Sequence, residues 1–251
     1  MYETFSANYD RFVNWEDRLA YELPFINDQI ASLQPASSQS LKILDAACGT
    51  GMHAIALAGA GHHVSAADLF PQMIEKAELN ASAAGVNVRF KAAGLGDLSS
   101  AFEDEKFDLV LCLGNSLPHL LSEHELVDAL TDFAAVLHPG GMLLIQNRNF
   151  DAVMRREERW MEPQSARDGE DEWLFLRSYD HEPGGMLNFH VVTLHRQGQA
   201  HWEQSVRSVP LRPQLSADLT RAVAWAGVLS LAWHTDMHGT PDAAESSGSL
   251  V

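Results

Sequence analysis

A chain of 251 residues, 46% of them hydrophobic, can bury one large α/β domain or one core with an inserted subdomain. Its 34 acidic and 17 basic residues give a formal net charge of −17, a field that repels a phosphate backbone and points to a small-molecule partner rather than a nucleic acid. No apolar run reaches the roughly 18 residues of a bilayer span. Residues 1–10 lack the basic and apolar regions of a secretory signal, so a cytoplasmic protein with no membrane partner is expected.

Residues 1–40 read as helical. Asn14-Trp15-Glu16-Asp17 can start a helix, and Leu19, Leu23, Ile26 and Ile30 recur at helical spacing along one face. Ser32–Ser40, with Pro35, reads as a linker. Leu41–Ala46 is a short apolar run and so a buried strand, Gly51–Ala60 a helix of small residues, and His63–Ala67 a second strand. Pro71–Ala84 is a helix with proline in its first turn and Gly85 just past its end. Val86–Ala92 and Phe107–Leu113 are further strands. Glu123–Leu137 is a helix closed by His138-Pro139-Gly140-Gly141, and Met142–Asn147 is a fifth strand. Such alternation implies a parallel sheet covered by helices on both faces.

The alternation then stops. Asp151–Asp168 is charged and irregular. Glu172–Tyr179, Met186–Arg196 and Ala200–Ser208 read as three antiparallel strands, with turns at 181–185 and 197–199. Leu215–Ala226 is a helix ended by Gly227, and Val228–Asp236 a sixth strand. Residues 246–251 read as the beginning of one more strand, cut short by a truncated C-terminus. Cys48 and Cys112 are expected to be free thiols, and the 12 histidines are scattered, so no metal site is expected. Trp160, Trp173, Trp202, Trp225 and Trp233 are expected to pack in the core or a lid.

The sharpest signal is Asp45-Ala46-Ala47-Cys48-Gly49-Thr50-Gly51, set between a strand and a helix. Gly49 and Gly51 lack a Cβ, so a ligand can come close to the main chain. Sheets of this kind bind ligands at the carboxyl ends of their strands. Asp68 ends the second strand, 23 residues after Asp45. An acid at about 20 residues' distance can take both hydroxyls of a ribose. The dinucleotide pattern G-x-G-x-x-A is met with Ala54, but Asp45 would then bring negative charge to a pyrophosphate. A carboxylate there suits a ligand with positive charge, such as the sulfonium and ammonium of S-adenosylmethionine.

Leu44–Gly51 resembles motif I of class I S-adenosylmethionine-dependent methyltransferases, and His138–Leu144 resembles their loop into strand five. The resemblance is closer still to the glycine and glycine/sarcosine N-methyltransferase branch. Cys112-Leu113-Gly114-Asn115-Ser116 with His119, Arg148-Asn149-Phe150-Asp151, and Tyr9 and Tyr21 match features of that branch. The resemblance covers roughly 9–151 well and the rest in outline. It implies a Rossmann-like seven-stranded class I sheet with helices on both faces and a small antiparallel β insertion. The corresponding division is an N-terminal helical segment or lid at 1–40, the cofactor-binding core at 41–150, a β insertion capping the substrate at 151–214, and a C-terminal helix and strands completing the core at 215–251.

The resemblance also implies S-adenosylmethionine as cofactor. From the turn its contacts would be Asp45, Ala47, Cys48, Gly49 and Gly51. Asp68, Leu69 and Met73 follow the second strand, Gly94, Leu95 and Asp97 the third, and Leu113 and His119 the fourth. Gly94 stands where the family usually has Asp or Asn for the adenine amino group, which leaves that contact to Asp97 or to main chain.

Methyl transfer is an in-line displacement, and alignment of its partners can supply roughly 7–11 kcal/mol of barrier lowering. Positive charge disperses in the transition state, which suits a lining of oxygens and aromatic faces. Tyr9, Tyr21 and Asn115 are the catalytic-lining candidates. Arg148 can hold an acceptor carboxylate through two parallel hydrogen bonds. Arg148→Ala is then expected to raise the acceptor KM, and the rival role is a structural pair with Asp151 or Glu157. His119 and water are the candidate proton acceptors.

The expected function is N-methylation of a small amine or amino acid of the glycine or sarcosine kind. O- or C-methylation of another small metabolite, an NAD-type oxidoreductase and a non-catalytic cofactor-binding protein stay open. A homo-oligomer whose N-terminal segment crosses onto a neighbour is compatible with the sequence without being required by it.

Overall fold

The structure, a computed structural model, describes residues 9–33, 40–103, 105–227, 230–240 and 249–250. A helical turn at 9–12 leads into α1 (Trp15–Leu33). The chain then alternates through β1 (Lys42–Asp45), α2 (Met52–Gly59), β2 (His63–Asp68), α3 (Pro71–Ala84), β3 (Arg89–Ala92) and the short α4 (Leu98–Ala101). It continues through β4 (Phe107–Cys112), a single 3-10 turn at Leu117–His119, α5 (Glu123–Val136) and β5 (Leu137–Ile145).

Five parallel strands form the main sheet in the order β3-β2-β1-β4-β5. The order reverses at β1, so a crevice opens beyond the carboxyl ends of β1 and β4, where sheets of this type take their ligands. Successive strand residues point to opposite faces. Ile43, Leu109 and Leu111 pack with Ile26 and Ile30 of α1, Leu57 of α2 and Ile74 of α3. Leu44, Val110 and Cys112 pack on the other face with Leu126, Leu130 and Phe133 of α5. The start of α5 is fixed by a capping box between Ser122 and Glu125, a device worth about 0.5–2 kcal/mol.

Several expectations are corrected. The main sheet has five strands among the described residues, not seven. The next segment, β6 (Asn147–Arg148), leaves it and pairs antiparallel with β11 (Ser249–Leu250). Of the expected sixth strand, residues 228–229 lie outside the described residues and 230–236 form no regular strand. The carboxylate of Asp236 accepts the amide N–H groups of His238 and Thr240 at 2.9 and 3.1 Å. Local bonds of this kind bend the chain away from a ladder. β5 begins five residues before the expected Met142, and takes in the His-Pro-Gly-Gly segment. Its register shifts between Phe107 and Leu109. A Cβ on Gly141 would meet the Asp108 and His138 carbonyl oxygens at 3.0 Å, so glycine is needed at that crowded bulge.

The expected irregular stretch 151–168 holds two elements, α6 (Phe150–Arg155) and β7 (Gln164–Asp168). β7 is the fourth strand of an antiparallel sheet with β8 (Asp171–His181), β9 (Leu187–Gln197) and β10 (Glu203–Leu211), ordered β10-β9-β8-β7. α7 (Ser216–Trp225) returns to pack on α5. Trp173 is buried, whereas Trp160, Trp202 and Trp225 are exposed, each beneath an arginine, rather than in the core. No described helix is long and apolar enough to cross a membrane.

Candidate active site

The turn after β1 is built by the backbone. The Cys48 N–H donates to the Ala67 carbonyl of β2 at 2.8 Å, and the Gly51 N–H to the Cys48 carbonyl at 2.9 Å. Gly49 and Gly51 have φ of +55° and +82°, which glycine adopts without penalty. Their reasons differ otherwise. A Cβ on Gly51 would lie 2.9 Å from the Ala77 Cβ and 3.2 Å from the Phe90 ring. Gly51 is therefore required by the packing of α2 on α3 and β3. It stands among the expected ligand contacts but does not line the cavity described next.

That cavity measures about 390 Å³. The turn supplies Asp45, Ala47, Cys48 and Gly49 to its wall, and the end of β2 supplies Asp68, Leu69 and Met73. Gly94, Leu95 and Asp97 follow from the β3 end, and Leu113, Asn115 and His119 from the β4 end. Tyr9 comes from the N-terminal turn, its ring against Gly49. The Asp68 carboxylate accepts the Gly49 N–H through one oxygen and the Phe70 N–H through the other, both at 2.9 Å. Burial raises its pKa. Asp45 is more deeply buried, one of its oxygens has no partner among the described residues, and burial pushes its pKa up to about 6. Burial also raises both thiols, so neither Cys48 nor Cys112 is a ready nucleophile. Burial lowers His119 to about 4, which makes its imidazole a poor proton acceptor.

Sequence reasoning missed a buried polar cluster beside this cavity. Glu22 of α1 accepts from Arg18 at 3.1 and 3.2 Å and from the Gln146 amide at 2.7 Å, and lies 2.6 Å from the His53 Nε2. The Gln146 Oε1 in turn accepts the Gly114 N–H at 3.0 Å. Burial alone would raise the Glu22 pKa. The His53 hydrogen bond and the Arg18 charge outweigh it and hold it at about 2. Trp15, Arg18 and His53 all line the cavity. The available signal was a carboxylate one turn before Ile26, on the buried face of α1.

A second cavity of about 590 Å³ adjoins the first and shares Tyr9, Arg18, Gly114, Asn115 and His119 with it. Arg148 and Tyr21 line this cavity and not the first. The Arg148 guanidinium is paired with Glu158, neither of the two acids proposed from sequence. Asp151 instead accepts the Ser216 N–H at 2.9 Å. The Tyr21 hydroxyl accepts the Met237 N–H at 3.4 Å, and its ring meets His238 edge-on. Asn115, with φ of +70°, accepts the Arg148 backbone N–H at 3.0 Å through its side-chain oxygen. Among the described residues no group of three or more His, Cys, Asp or Glu side chains could hold a metal ion.

An unpartnered buried carboxylate oxygen and a second carboxylate oriented by two amides fit a nucleoside that brings hydroxyls and a cationic group. Residues 43–141 match the family described as a methyltransferase domain. This segment is thus similar to a methyltransferase domain, carried on a fold that solved S-adenosylmethionine-dependent methyltransferases share. It is 34% identical over 152 residues to the glycine/sarcosine N-methyltransferase of Aphanothece halophytica, covering 61% of this chain and 55% of that one. It is 35% identical over 120 residues to a ubiquinone biosynthesis O-methyltransferase of Xylella fastidiosa, covering 47% of each. The chain thus spans about half the length of these curated relatives. A solved S-adenosylmethionine-dependent methyltransferase from Clostridium acetobutylicum shares the fold, with a TM-score of 0.77 at 16% identity, over 99% of this chain and 96% of that one.

Proposed function

We propose that the chain N-methylates a small amine held in the second cavity, using S-adenosylmethionine held in the first. The observation that carries this is the junction of the two cavities at Gly114 and Asn115. The cofactor supplies an electrophilic methyl group when bound. Asp68 would hold the ribose hydroxyls, and Asp45 would face the ligand's positive charge. Tyr9 and Asn115, shared by both cavities, would line the passage and present oxygens and a ring face to the dispersing charge.

His119, with its pKa depressed by burial to about 4, does not take the acceptor's proton on this reading. The amine instead sheds it to water before entering. Similarity to glycine/sarcosine N-methyltransferases supports nitrogen as the nucleophile. Similarity to an O-methyltransferase at 35% identity favours oxygen as the second reading.

The test is calorimetry followed by turnover. Binding of S-adenosylhomocysteine without any response to NAD is expected, and the reverse would exclude the methyltransferase reading of the turn. Methylated product is then expected from glycine or sarcosine. Product only from phenols or other hydroxyl acceptors would overturn the choice of nitrogen, and turnover of any acceptor removes the non-catalytic alternative.

A further inference from the structure

The second cavity is distinguished by unpaired polar atoms. Seven buried side-chain polar atoms have no hydrogen-bond partner among the described residues, and five of them belong to four residues on this cavity. They are both amide atoms of Asn147, the Nε of Arg148, the Oε1 of Gln164 and the Nε of Arg177. Buried polar atoms are nearly always paired, so a cluster of unpaired ones marks where a ligand completes the bonding. Three of the five are donors, on Arg148, Arg177 and Asn147, which an acid group would satisfy. Two are acceptors, on Asn147 and Gln164, which the N–H groups of an amine would satisfy.

The two guanidiniums are not equivalent. Arg148 already has a counter-ion in Glu158. Arg177 forms no ion pair and donates no side-chain hydrogen bond to any described residue. Its guanidinium sits over the Phe12 ring, 5.0 Å from the centroid. Burial, and then the charge of Arg148, lower its pKa, as expected for a cation held without compensation. An arginine nonetheless stays protonated, so this half-buried charge awaits an anion from outside the chain.

We propose that Arg177 is the residue that selects the acceptor, receiving the acid group of an amino acid with Asn147 and Arg148 beside it. Arg148 then acts mainly through its pair with Glu158, which holds that wall of the cavity in place. The proposal rests on the amine-methylating reading above and narrows it to acid-bearing amines.

Acetate is the probe, titrated by calorimetry into protein saturated with S-adenosylhomocysteine. Arg177→Met is expected to weaken acetate binding roughly tenfold to hundredfold, the value of one or two charge-assisted hydrogen bonds. Arg177→Lys, which keeps the charge but not the fork, is expected to fall between. Affinity for S-adenosylhomocysteine should stay within about threefold in both, showing that the variants fold, and if the methionine variant does not fold the lysine variant decides. With glycine, Arg177→Lys should raise KM more than it lowers kcat. The proposal is overturned if a folded variant holds acetate within about threefold of the native chain, or if the native chain binds acetate no better than acetamide. Absence of methylated product from every amine, with acetate binding still dependent on Arg177, would remove the amine-methylating reading alone. Product formation with acetate binding indifferent to Arg177 would remove this proposal alone.

Discussion

The two cavities meet at Gly114 and Asn115 yet are made of different materials. The first is walled by consecutive strand ends, and its polar groups are largely set by nearby main chain, as where two amides hold Asp68. The second is assembled from side chains of α1, β6, β7, β8 and β9, and five of its polar atoms lack partners among the described residues. Backbone that must turn sharply at a sheet's switch point makes a site whose shape is common to many chains. Side chains gathered from distant elements make one whose chemistry is particular to this chain. The first arrangement suits a shared cofactor and the second a selected acceptor.

Glu22 ties the two halves together, so its removal should have the largest effect. It bonds Arg18, which lines both cavities, and Gln146, which lines the second. Glu22→Ala leaves a half-buried guanidinium and a buried amide unpaired, and a loss of about 2–4 kcal/mol in unfolding free energy is expected. Denaturant unfolding measures it, and a loss below about 1 kcal/mol would show that the cluster does not bind the halves. The native pH dependence has a definite sign. The Glu22 pKa is depressed from 4.5 to about 2 by His53 and Arg18 against the effect of burial, so its contribution is complete above about 4.5 and fades as pH falls through about 2.

The same contrast governs what could be read beforehand. The first cavity was legible because its determinants are local: a strand, two glycines, a helix, then an acid at the next strand's end. Even there, the packing of Gly51 against Ala77 and Phe90 is something no local pattern displays. β7 was missed because Gln164-Ser165-Ala166-Arg167-Asp168 has no apolar alternation, and its strand form comes from pairing with β8. Arg148 was found by motif, but its partner Glu158 and its neighbour Arg177 became visible only once the antiparallel sheet was in place. Charge pairing across folded elements is a tertiary fact, and a linear pattern carries little of it.

A sharper test of the division is Asp68→Ala, which should act on one cavity only. Loss of the carboxylate frees the Gly49 and Phe70 amides and, on the proposed reading, would remove the acceptor for a ribose. Affinity for S-adenosylhomocysteine is expected to fall about hundredfold, the value of one to two charge-assisted hydrogen bonds. Acetate binding to the second cavity should change less than threefold when the nucleoside is present at saturation. If acetate binding fell as far as nucleoside binding, the cavities would be one cooperative unit and the contrast between them would dissolve.

The smallest effect expected is a pH dependence confined to the first cavity. Burial raises the Asp45 pKa from 3.8 to about 6, and one of its oxygens has no partner among the described residues. Between those two values the folded chain holds a proton that the unfolded chain has released. Stability of the ligand-free protein should therefore rise as pH falls from about 6 toward 3.8, and decline as pH rises through about 6. On the proposed placement the cofactor would reverse the preference, because its cationic groups favour the ionised carboxylate. Affinity for S-adenosylmethionine should thus weaken by up to about tenfold for each pH unit below about 6, and level off above it. Asp45→Asn should bind more weakly at pH 7 and lose this slope. A flat affinity from pH 5 to pH 8 in the native chain would mean that Asp45 faces no positive charge of the ligand.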